Sequence, residues 1–162
     1  MTVSKAIQKM IDFYNGNLHD IEHFLKVFAF AKTIGEGEGL DTHTQEVLEL
    51  AAVVHDISCP LCREKYKNTN GKNQEIESPP LVKEFFNGLP VQNDDKERIS
   101  WLVSHHHTYE NVDGIDYQIL LEADFLTNAA ESGYKRSAIE SAKKNIFKTK
   151  TGTVLLESIY LR

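Results

Sequence analysis

Histidine beside aspartate at the end of an apolar run is a chemically suggestive arrangement, and the stretch LELAAVVHDIS (48–58) has it. A second His-Asp pair lies upstream in NGNLHDIEHFLKVFAFA (15–31), where a further histidine, His23, follows. ERISWLVSHHHT (97–108) carries three consecutive histidines, and YQILLEADFLTNAAE (117–131) places Asp124 within an apolar run. Neutral imidazole and ionised carboxylate together suit a hard or borderline divalent cation. The cation's charge offsets the cost of burying carboxylates, which otherwise amounts to several kcal/mol or a large pKa shift.

Which of these side chains point inward follows from helical periodicity. His23 continues the stripe Val27, Phe30, Ala31 and Ile34 at i, i+4, i+7, i+8 and i+11. His55 extends Leu48, Ala51 and Ala52, and His106 extends Ile99, Leu102 and Val103, with His107 on its flank. Asp124 lies one turn beyond Leu120 on the stripe that holds Tyr117 and Leu121. One inward polar group is most simply a satisfied core residue. Four on four helices, all histidine or aspartate, point to a shared ion. Asp56 is turned about 100° from His55 around an ideal helix. It joins the same site only if the helix stops there, and the ISCP that follows supplies the stop.

The upstream dipeptide reads differently. Asn17 follows a glycine turn and Asp20 lies three residues later, the spacing of a capping box. Asp20 is expected to be a helix-start carboxylate, and His19 a first-turn residue that binds no ion.

The elements that carry these residues are all helical. Apolar residues recur at helical spacing in almost every segment, and convincing period-2 alternation is absent, so the expected class is all-α. Breaks are expected at 15–17, 35–41, 87–90, 110–114, 133 and 149–152. Residues 58–80 are expected to form a functional loop or a short helix, giving about six or seven helices in all. With 162 residues and 41% apolar content, a single domain over 1–162 is expected. A net charge of −6 argues against binding a nucleic-acid polymer, which needs a basic face. No segment approaches the roughly 20 apolar residues of a membrane span, so a cytoplasmic protein is expected. The C-x-x-C of Cys59 and Cys62 has no strand pattern before it, which speaks against a thioredoxin-type redox pair, and a lone C-x-x-C is only half of a zinc site.

The ordered set of His23, His55 with Asp56, and Asp124 resembles the HD superfamily of metal-dependent phosphohydrolases, over roughly residues 18–130. The resemblance implies an HD-type helical bundle and one or two divalent ions (Mn, Fe, Mg, Co, Ni or Zn) as cofactor. Its substrate would be a small phosphorylated, nucleotide-like molecule. Superfamily members with two ions add histidines between the dipeptide and the final aspartate. His106 matches one of them best and His107 second, while Glu77 stands where another is expected. The implied metal set is therefore His23, His55, Asp56, Glu77, His106, His107 and Asp124, with Asp56 and His106 the candidates for catalysis. Lys26, Arg63, Lys65, Lys67 and Lys72 are the candidates for meeting substrate phosphate. The same ligand types also suit a di-iron oxygenase, and a silent regulatory domain could keep the ion for structure. The sequence leaves the oligomeric state, monomer or homodimer, open.

Overall fold

The computed structural model describes residues 2–162, and among these every regular element is an α-helix. In chain order they are α1 (Thr2–Tyr14), α2 (Leu18–Gly37), α3 (Thr42–Val54), α4 (Cys59–Tyr66), α5 (Gly71–Phe85), α6 (Asn93–His105), α7 (Ile115–Glu131), α8 (Arg136–Asn145) and α9 (Lys150–Tyr160). The all-α expectation agrees with this architecture. None of these helices is long and apolar enough to cross a membrane.

Two helices form the centre. Every residue of α3 from Val47 to Val54 is buried, and α7 is buried almost all round from Asp116 to Thr127. A helix that is apolar on all sides must be enclosed by others. Accordingly α1, α2, α6 and α7 pack on α3, while α2, α3 and α9 pack on α7. The outer helices α1 and α8 instead bury single stripes, such as Ala6, Met10 and Tyr14 of α1.

Among the described residues nine helices form where about six or seven were expected, and the difference has identifiable causes. The polar stretch 58–80, expected to be a functional loop or one short helix, folds into the short helix α4 and also the first part of α5. Pro79 and Pro80 lie inside α5, where each removes a backbone donor. The carbonyls they orphan belong to the exposed Glu75 and Ile76, where water can substitute. Beyond the prolines, burial of Val82, Phe85 and Phe86 holds the chain on course against α6. The expected break at 35–41 also falls late, since α2 continues to Gly37. Gly35 and Gly37 serve close packing there: a Cβ on Gly35 would collide with Gln45, and one on Gly37 with Thr151.

A candidate metal centre between four helices

The apolar stripes deliver their polar ends to one place. His23 is 5% exposed, His55 0%, His106 1% and Asp124 4%, each continuing a buried face of its helix. Helix α3 ends at Val54, and the chain then turns tightly, with Ile57 N–H donating to the Val54 carbonyl (3.0 Å) and Cys59 N–H to the Asp56 carbonyl (2.9 Å). Pro60 sits in the first turn of α4, where a missing N–H costs nothing. This stop swings the Asp56 carboxylate off the helical path and into the cluster.

Each histidine is oriented through its outer nitrogen. Nδ1 of His55 donates to the Ala52 carbonyl (2.7 Å), Nδ1 of His106 to the Val103 carbonyl (2.6 Å) and Nδ1 of His23 to the Glu131 carboxylate (2.8 Å). Because these partners only accept, each Nδ1 carries a proton and each Nε2 is left to present a lone pair.

The inner atoms crowd together. His23 Nε2 lies 3.1 Å from His55 Nε2, 3.2 Å from Asp56 Oδ2 and 3.3 Å from Asp124 Oδ1. His55 Nε2 lies 3.4 Å from Asp56 Oδ2 and 3.5 Å from Asp124 Oδ1. The other oxygen of Asp56 faces His106 Nε2 at 3.3 Å. Two groups of metal-ligand atoms result, each within 4.8 Å, and Asp56 belongs to both: His23 with His55 and Asp56, and Asp56 with His106 and His107.

Lone pairs meeting lone pairs repel unless a positive charge lies between them. Burial by itself would lower the pKa of His23, yet the Asp124 and Asp56 carboxylates outweigh it and raise the value to about 11. His55 is likewise depressed by burial and raised by Asp56 and Asp124, to about 10. Burial would raise the pKa of Asp56 and Asp124, but the facing imidazoles hold both below the ordinary carboxylate range. The cluster thus draws in a cation, whether a proton or a metal. His106 Nε2 and Asp124 Oδ1 are moreover buried with no hydrogen-bond partner. Orphaned buried acceptors of this kind are costly unless something electropositive meets them. The donor set of imidazole and carboxylate fits a divalent ion.

A cavity of about 260 Å³ opens beside the cluster, reaching Asp56, Asp124 and His23. Its walls come from α2 (His19, Asp20), α4 (Cys59, Arg63), the start of α5 (Gln74) and α7 (Asn128, Glu131). His107 also lines it, with a pKa pushed down to about 4 by desolvation and by neighbouring His106, so the ring is neutral at pH 7.

Other expected site residues lie elsewhere. Glu77 falls midway along α5, where Lys65 Nζ and the Tyr66 hydroxyl both donate to its carboxylate at 2.6 Å. It is not among the residues that gather at the cluster, since α5 already starts at Gly71 and carries Glu77 to face α4. Lys65 is accordingly turned to Glu77, and Lys67 donates to the Glu64 carbonyl (3.0 Å). Lys72 is exposed and, like these two, does not line the cavity. Lys26 is also exposed and outside the lining, though its Nζ comes within 3.8 Å of Glu131. Arg63 does line the cavity, held by two bonds to Asp20 of 2.7 and 2.8 Å.

Asp20 makes its expected helix-start bonds, with its N–H donating to Asn17 Oδ1 (3.2 Å), but also fixes that guanidinium over the cavity. The pairing of Asp20 with Arg63 spans 43 positions and left no mark in the sequence pattern. Glu131 did leave one: it stands seven residues after Asp124, on the same helix face. Cys59 and Cys62 are free, buried thiols, and burial pushes both pKa values up, the opposite of a reactive thiolate.

The family model for the HD domain matches residues 20–141, which takes in His23, the His55–Asp56 dipeptide, the three histidines and Asp124. The chain belongs to the HD domain family. No curated protein and no solved structure matches it. As an HD domain, it falls in a superfamily generally made of metal-dependent phosphohydrolases, and its histidine–aspartate groups are compatible with a bound metal.

Proposed function

We propose that this HD domain is a hydrolase for a phosphoester or phosphoanhydride of a small molecule of the nucleotide or sugar-phosphate kind. His23, His55, Asp56 and Asp124 would hold one divalent ion. A second would sit on the other side of Asp56, against His106 and His107. The observation that carries the reading is the convergence of three Nε2 atoms and two carboxylates at the edge of a cavity, two of those buried atoms having no hydrogen-bond partner.

The charge of the cavity supports it. Asp20, Asp56, Asp124 and Glu131 line it against the single guanidinium of Arg63, so a phosphate would be repelled by the protein alone. Bound divalent metal supplies Lewis-acid polarisation of a phosphoryl oxygen and a hydroxide nucleophile near neutral pH. The protein's part is orientation. Glu131 and the Ala52 and Val103 carbonyls fix the three imidazoles. Asp56, with an oxygen on each side, would fix the separation of ions held by its two groups and orient the attacking water. Arg63, pinned by Asp20, offers its remaining N–H donors to phosphate oxygens.

The test is elemental analysis of protein purified without added ions, followed by a panel of phosphomonoesters and nucleotides with Mn²⁺, Fe²⁺, Co²⁺, Ni²⁺, Zn²⁺ and Mg²⁺. Failure to take up any ion at saturating Mn²⁺ overturns the reading, as does a metal-loaded protein that cleaves no ester in the panel. Dioxygen uptake by the Fe²⁺ form would identify a di-iron oxygenase instead.

A further inference from the structure

Glycine opens α5, yet the backbone does not demand it there. Gly71 is not among the residues of positive φ, so an ordinary side chain could follow the same path. What glycine supplies is space. A Cβ at position 71 would lie 2.9 Å from His107 Cβ, 3.1 Å from its Cγ and 3.4 Å from its Cδ2. The start of α5 therefore rests directly against a histidine of the candidate site.

That contact stands in for a missing hydrogen bond. His23, His55 and His106 are each oriented through Nδ1, whereas among the described residues nothing bonds to the ring nitrogens of His107. Its ring is placed by packing, with Gly71 on one side and the His106 ring on the other, centroids 3.9 Å apart. So held, it enters the group of ligand atoms it forms with His106 and Asp56.

Neither partner in the contact gives way easily. Rotating the His107 side chain moves Cγ and Cδ2 but leaves Cβ where the backbone puts it. That backbone is pinned from α7, where the hydroxyl of buried Tyr117 reaches the carbonyls of both His105 and Thr108. The start of α5 is tied as well: Gln74 Nε2 donates to the Thr69 carbonyl (2.8 Å), and Asn70 N–H and Asn73 Nδ2 donate to Asn68 Oδ1, both at 3.0 Å.

Resting on the two-ion reading above, we infer that Gly71 is a positioning residue for His107. By letting α5 begin against the loop after α6, it confines the ring to the side of the site where His106 and Asp56 would hold the second ion. A side chain at position 71 forces α5 and the loop apart, frees the ring and weakens that ion alone.

The experiment titrates Mn²⁺ into chelator-stripped wild type, Gly71→Ala, His107→Gly and the double variant, and records the melting temperature of each without ion. Wild type should take up two ions. In Gly71→Ala the second should bind about 10- to 100-fold more weakly, the range for losing a group that orients a ligating histidine, with the first unchanged. Replacing glycine by alanine in a compatible conformation ordinarily stabilises. Here the melting temperature should instead fall by about 2–4 °C. His107→Gly removes the Cβ as well as the ring, so in that background Gly71→Ala should bring no further loss of either kind. An unchanged second ion in Gly71→Ala, equal weakening of both ions, or the same fall in melting temperature in the His107→Gly background overturns the inference and leaves the two-ion reading in place. Should Gly71→Ala not fold, recovery of the fold in the double variant supports the inference and its absence overturns it. Wild type that takes up fewer than two ions overturns both.

Discussion

His55 and Asp56 close a helix enclosed on all sides, whereas His19 and Asp20 open one at the surface, where the His19 side chain is 73% exposed. In the first pair the imidazole is fully buried, and helix termination turns the carboxylate toward two further histidines. In the second the carboxylate caps α2 and clamps Arg63, and the imidazole lies along the cavity rim. The same two letters therefore do different work because one stands at the end of a buried stripe and the other at the start of a half-exposed helix. Burial, and not the dipeptide, decides which pair has unmet lone pairs to offer an ion.

The sharpest way to break this contrast is to remove the buried side. His55→Ala and Asp124→Asn should each abolish metal binding measured by elemental analysis, and with it any hydrolysis. Asp124→Asn keeps the volume and removes only the charge, so a folded, metal-free variant would separate ligand loss from a packing defect. Retention of a full complement of metal in both would sink the ligand set. One step further out, Glu131→Gln should leave the ion bound but weaken its affinity about 10- to 100-fold, as is usual when the carboxylate behind a ligating histidine is lost. Metal titration against a competing chelator reads this directly.

Protonation offers a test that needs no mutation. His23 and His55 present Nε2 atoms 3.1 Å apart, and in the ion-free protein their pKa values rise well above the ordinary 6.5. A raised histidine pKa stabilises the ion-free fold below about pH 6.5, and this contribution fades as pH climbs toward the folded values near 10 and 11. The lowered carboxylates Asp56 and Asp124 contribute above their ordinary value of 3.8 and lose that contribution on acidification. Ion-free protein should thus be most stable between about pH 4 and pH 6.5. Metal uptake at pH 7 should release protons from these two rings, measurable by calorimetry in buffers of different ionisation enthalpy. No release would mean the histidine pair is already neutral.

The convergence of histidines and aspartates was legible in the sequence because each member extends a stripe whose periodicity can be counted. His23, His55, His106 and Asp124 required no knowledge of how the helices pack, and ISCP announced the turn that recruits Asp56. Two parts of the site were hidden for different reasons. Gln74 lies in the polar segment 58–80, which read as a functional loop or a short helix, and its helix forms because Val82, Phe85 and Phe86 further along are buried against α6. Arg63 and Asp20 meet only in three dimensions. Glu77 stands where the resemblance puts a ligand, but in the structure its carboxylate is met by Lys65 and Tyr66 of α4, a pairing that exists only once 58–80 has folded.

Smaller effects are expected on the surface dipeptide. Asp20→Ala removes the acceptor of the Asn17 side-chain amide (3.0 Å) as well as the Arg63 clamp. Half-exposed Arg63 can turn to water, so stability should fall by about 0.5–2 kcal/mol, the range for losing a helix-start interaction. Urea denaturation would measure this loss, and metal content should stay intact.

The smallest effect is expected from His19→Ala. Its ring contacts Asp20 Oδ1 at 3.3 Å and Glu131 Oε2 at 3.9 Å, and stacks loosely on His23 with centroids 6.4 Å apart. None of these is needed to orient His23, whose Nδ1 is already held by Glu131 at 2.8 Å. Exposed substitutions away from caps and cores usually change stability by no more than about 0.5 kcal/mol. Metal stoichiometry and affinity should therefore match wild type within error. The alternative has a definite signature: if His19 swung in to complete the coordination sphere, His19→Ala would lose metal as His55→Ala does. Equal loss in the two variants would mean that burial does not separate the dipeptides after all.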